Sequence, residues 1–121
     1  VESYRGAGGR GRLALQVHLS WADTDDEALA LARDQWAANA VGPPLSWDVE
    51  TVEGFDAIAA ALPADAARGP VRVSADLGQH RAWLQEYADL GFDDLYLHHV
   101  GQQQDAFIDT FGEHVLPAVR S

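Results

Sequence analysis

The stretch "LYLHHVGQQQDAFIDTFGEHVLPAV", Leu95 to Val119, decides how this chain is read. With its two leading aspartates it begins as "DDLYLHHV", a buried-type strand with two adjacent histidines where the strand should stop. The periodicity then changes: Phe107, Ile108, Phe111 and Val115 recur three and four residues apart, which predicts an amphipathic helix, and Pro117 sits where that pattern frays. A strand that ends in His98-His99 and passes straight into a helix needs a second strand to pair with.

That second strand lies far upstream. In "LALQVHLSWA", Leu15, Val17, Leu19 and Trp21 alternate with Gln16, His18 and Ser20, a period of two. The segment "TDDEALALARDQWAANA" follows, with Thr24 and Glu27 spaced as a capping box and Asp25 and Asp26 placed at the positive end of the helix dipole. Leu29, Ala32 and Trp36 form one stripe, so this helix is expected to end near Asn39 to Gly42. The paired prolines of "VGPPLSWDVET" predict a loop, "VEGFDAIAAAL" a short helix, and "PADAARGP" a turn or a second short helical piece. "VRVSAD" reads as a short strand or an extended lead-in. Asp76 and Gln79 offer a second capping pair before a helix with Trp83, Leu84, Tyr87 and Leu90 on its apolar stripe, which Gly91 can end in the left-handed conformation. Strands separated by so many helical residues cannot form a hairpin. The order therefore implies parallel strands with crossover helices, an α/β layer, and too few strands to close a core alone.

Composition narrows the function classes. The 121 residues, 47% of them apolar and four of them tryptophan, suffice for one core and one domain. A net charge of −11 opposes nucleic acid or an anionic membrane surface as partner. There is no cysteine, so neither disulfides nor thiolate zinc sites are possible and bridges say nothing of the redox compartment. No apolar run approaches the roughly 20 residues of a bilayer span and no signal-like start is visible, so a soluble cytoplasmic protein is expected. The chain begins at Val1 and contains no methionine, which reads as a piece of something longer.

The segment "GQHRAWLQEYADLGFDDLYLHHVGQQQDAFIDTFGEHVLPAV" resembles the C-terminal end of the luciferase-like flavin- or deazaflavin-dependent oxidoreductases, and "LQVHLSWADTDDEALALARDQWAANA" resembles the strand and helix before it. The resemblance covers Leu13 to Val119. It implies the C-terminal portion of a (β/α)8 TIM-type barrel around strands seven and eight, residues 1–121 as one partial-barrel segment and residues 1–12 as a flexible lead. It implies FMN or deazaflavin (coenzyme F420) as the parent's cofactor for hydride transfer, in an oxidoreductase or monooxygenase acting on a small molecule. The family's main cofactor-cradling segment is absent, so the isolated piece is expected to be inactive.

In such barrels the chemistry sits at the carboxyl ends of the strands. Strand parity then places Gln16, His18 and Ser20 on the lumen face with Tyr96 and His98, while Leu15, Val17, Leu19, Leu95 and Leu97 meet the outer helices and His99 points outward or into the next loop. His18 and His98 are the candidate catalytic residues, as proton shuttles or ring contacts; hydrogen-bonded lumen histidines without a chemical role are the other reading. Ser20, Trp21, Trp47 and Tyr96 are the candidate cofactor contacts, and Trp36 and Trp83 are read as core. No metal site is expected, since no Asp or Glu is spaced with the histidines as ligands. "GAGGRG" precedes a strand instead of following one, which is wrong for a dinucleotide turn. The alternative function is a non-catalytic α/β interaction module that completes its sheet with another chain. Either way the open sheet predicts a homo-oligomer.

Overall fold

The computed structural model describes residues 1–43 and 45–120. The glycine-rich lead, expected to be flexible, instead carries a short helix, α1 (Glu2–Gly6), and is tied down by charge. Arg5 meets Asp93 at 3.4 Å, Arg12 holds Asp94 through two nitrogens at 3.0 and 2.7 Å, and the Leu13 amide donates to Asp93 at 2.7 Å. These contacts pin the start of strand β1 (Ala14–Ser20).

Helix α2 (Asp25–Trp36) is capped as its spacing predicts, with the Glu27 amide donating to Thr24 Oγ1 at 3.2 Å. A tight turn, Ala37–Ala40, continues it. The proline-rich stretch read as loop, whose Pro44 lies outside the described residues, contains one helical turn, α3 (Leu45–Asp48). Helix α4 (Val52–Ala61) starts on Thr51, and the 3-10 turn Ala66–Arg68 leads to the two-residue strand β2 (Arg72–Val73). In α5 (Leu77–Asp89) the cap is Asp76 as expected, but its carboxylate accepts from the Gly78 amide at 2.7 Å instead of pairing with Gln79. Gly91, at φ +95°, ends α5 in the left-handed region that a side chain would strain. Strand β3 (Asp94–His99) and helix α6 (Gln104–His114) follow, and Pro117 lies in a closing 3-10 turn.

The sheet is parallel with order β2-β1-β3. From β1 the chain steps to one side, then returns past β1 to the other, and two right-handed crossovers in opposite directions place their helices on opposite faces. One face carries Val17 and Leu19, packed with Leu84 of α5 and with Phe107, Phe111 and Val115, while Leu15, Leu95 and Leu97 flank them. Each such fully buried side chain stabilises the fold by about 1.5–3 kcal/mol. The other face, expected to be an open lumen, is capped at its carboxyl end by α2: Ser20 Oγ donates to the Ala28 carbonyl at 2.6 Å, and Ala28 and Ala32 pack with Ala67, Val71, Val73 and Val100. Alanine at both positions lets the helix axis approach the sheet closely. Lower on this face Gln16 and Tyr96 stay exposed.

Candidate functional site

Register brings the two candidate catalytic histidines together. His18 of β1 and His98 of β3 are direct partners across the parallel pair, and their Nδ1 atoms lie 2.9 Å apart with the rings nearly perpendicular. Trp36, at the last turn of α2, covers both: its ring centroid is 4.8 Å from His18 and 5.0 Å from His98. Sequence reading assigned Trp36 to the core. The available signal was its place at the very end of the α2 stripe, where an antiparallel helix returns alongside the strand it left.

An N···N distance of 2.9 Å is a hydrogen bond only if one nitrogen carries the proton and the other does not. Partial burial, and next the neighbouring His98, hold the His18 pKa below its ordinary value, so a neutral ring is favoured there. Among the described residues neither Nε2 has a protein partner, and neither is a buried unpaired atom.

The candidate cofactor contacts divide. Tyr96 stands opposite Gln16, one step below the histidines on their face, and is 63% exposed. Trp21 donates its indole N–H to the Ala75 carbonyl at 3.2 Å, packs edge-on to Phe111, and lines a rim cleft of about 610 Å³ with Asp23, Glu27, Leu31, Asp34 and His99. Ser20 is wholly buried and its hydroxyl is spent on α2, so it has no proton left for a ligand. Trp47, 78% exposed on α3, takes no part in the rim cleft.

His99 sits on the helix-covered face, as parity requires. It is 3% exposed, stacks on Phe107 at 5.0 Å, and among the described residues its Nδ1 has no partner. His80, which the sequence reading did not single out, is buried too: its Nε2–H donates to the Ser74 carbonyl at 2.8 Å and its ring edge meets Trp83 and Phe111. Desolvation lowers the pKa of both. Among the described residues no group of three or more potential ligands could hold a metal ion, and no helix is long and apolar enough to cross a membrane.

No family model matches the chain. It is 34% identical over 99 residues to the F420-dependent glucose-6-phosphate dehydrogenase of Nakamurella multipartita, an alignment covering 82% of this chain and 29% of that protein. The enzyme of the same name from Microbacterium testaceum is 31% identical over 106 residues, covering 88% of this chain and 31% of its own length. Among solved structures, an F420-dependent secondary alcohol dehydrogenase in complex with an F420-acetone adduct superposes with a TM-score of 0.76 at 22% identity, over 99% of this chain and 37% of that one. The chain thus spans about a third of the length of the proteins it matches. Its fold is that of part of an α/β barrel.

Proposed function

From the premise that this chain belongs to the luciferase-like flavin- and deazaflavin-dependent oxidoreductases, as a C-terminal segment, we propose that it forms one wall of the active site of a deazaflavin-dependent dehydrogenase. The observation that carries this reading is the His18–His98 pair under Trp36, at the carboxyl ends of adjacent parallel strands, where barrel enzymes do their chemistry. The F420 in the names of the similar proteins favours deazaflavin over FMN, and dehydrogenation over monooxygenation.

The residues present fit the flat ring of such a cofactor better than an anionic tail. The open face offers Tyr96 and the two imidazoles as ring contacts, whereas the rim cleft lined by Trp21 and His99 carries Asp23, Glu27 and Asp34, which repel phosphate and carboxylate groups. When bound, the deazaflavin supplies the site that accepts or gives the hydride. The chain's own residues supply the rest. Trp36 excludes water from one side of the imidazole pair. His18 or His98 holds the proton that a substrate hydroxyl gives up as it becomes a carbonyl. The same carboxylates favour a neutral small alcohol over a phosphorylated one at the rim cleft. A cytoplasmic location is part of the same proposal.

A chimera tests the proposal. Residues 13–119 replace the matching segment of the N. multipartita enzyme, and F420 reduction is followed by loss of its absorbance with glucose 6-phosphate and with 2-propanol. Turnover of either substrate is the expected result. A chimera that melts cooperatively yet neither binds nor reduces F420 refutes the reading.

One observation favours the second reading, an interaction module. Strand β3 is an edge strand, and beside it Ile108 and Leu116 are 60% and 50% exposed around an apolar groove that Leu95, Leu97 and Phe111 also line. On this reading a second copy covers the edge and the chain is a homodimer.

A further inference from the structure

We propose that His18 and His98 form a proton-sharing dyad, one proton lying between the two Nδ1 atoms, so that the neutral pair presents one Nε2 as donor and the other as acceptor. The geometry alone leads there. At 2.9 Å two Nδ1 lone pairs repel, and two Nδ1–H groups clash, so the pair holds together only with a single bridging proton. Tautomer balance fixes the rest. The neutral ring that carries the Nδ1 proton has a bare Nε2, and the neutral ring that accepts has Nε2–H. Among the described residues both Nε2 atoms are free of protein partners, while the buried core behind β1 and β3 and the Trp36 ring keep the two imidazoles in place.

A dyad of this kind passes protons without net change in charge. A hydroxyl donates its proton to the bare Nε2, forming a new N–H bond. The bridging proton then moves from that ring's Nδ1 to the partner's Nδ1, and the partner releases its Nε2 proton to solvent. Every proton taken up is matched by one released, and the two rings exchange roles. Reversal of the same steps resets the pair. The group that fits is one able both to give and to accept a hydrogen bond, an alcohol hydroxyl, and this assignment of the proton's source rests on the dehydrogenase reading, whereas the shared proton does not.

The test is made on the chain as it stands, with 15N-labelled histidine at pH 7.5. The expected spectrum shows a scalar coupling between the Nδ1 nuclei of His18 and His98, one ring in the Nδ1–H tautomer and the other in the Nε2–H tautomer, and loss of the coupling in His98→Phe. Two Nε2–H tautomers without coupling overturn the dyad, and so does a coupling that survives in His98→Phe. A coupling present in a chain whose F420 chimera is inactive supports the dyad and removes only the dehydrogenase reading.

Discussion

Lowering the pH from 7.5 to 5.5 is expected to weaken the fold through its two most buried histidines, His80 at 1% and His99 at 3% exposure. Both have pKa values pushed down, first by desolvation; for His80 the Ser74 hydrogen bond and Asp76 and Asp25 oppose the shift without reversing it. The folded rings therefore stay neutral at a pH where the unfolded chain, with histidines near their ordinary value of 6.5, takes up protons. Because the folded pKa is depressed for a base, the stability is fully present above pH 6.5 and is lost as the pH falls below it. If both rings remain neutral at pH 5.5, the loss from pH 7.5 is at most about 1.4 kcal/mol for each histidine, or about 2.7 kcal/mol together. Partial protonation of the many carboxylates eases their mutual repulsion over the same range and acts in the opposite sense, so the comparison must be internal. In His80→Gln the amide keeps a donor for the Ser74 carbonyl but cannot titrate. Urea unfolding followed by tryptophan fluorescence at pH 7.5, 6.5 and 5.5 gives the stability of both chains. The wild type should lose up to about 1.4 kcal/mol more than His80→Gln between the extremes. Equal losses in the two chains would refute the assignment of a neutral, desolvated His80.

Parity makes opposite demands on the neighbouring histidines: His99→Ala should lower stability by roughly 1–3 kcal/mol through the lost Phe107 stack, whereas His98→Ala should change stability little and abolish turnover of the chimera, as paired melts and kinetics will show. Ser20→Ala should cost about 1 kcal/mol by losing the bond to Ala28, and Trp47→Ala less than about 0.5 kcal/mol, with neither changing F420 affinity of the chimera. The chain alone should bind FMN or F420 weakly, and a dissociation constant in the low micromolar range by ring fluorescence would contradict that. Sedimentation at micromolar concentration should find a dimer, and a folded monomer would remove the second-copy reading of the β3 edge.

Features that depend on near neighbours were legible in the order of the residues. Period-two runs at Leu15–Leu19 and Leu95–His99 became β1 and β3, Thr24 and Asp76 became caps, Gly91 took its left-handed turn, and parity sorted His98 from His99, because all of these follow from chirality and local hydrogen bonding. The resemblance named the barrel family from residues that lie in order along the chain. Which side each helix takes was not legible, because it depends on where the two-residue strand β2 pairs, and Arg72–Val73 carry almost no periodicity of their own. That pairing sends the chain back past β1, lays α2 over Ser20 and Trp36 over the imidazoles, and so gives one expected ligand contact a hydrogen bond to the Ala28 carbonyl and brings one expected core residue against His18 and His98. The 2.9 Å contact of His18 with His98 likewise exists only in three dimensions, since 80 residues separate them and the register that aligns them is set by β1 against β3.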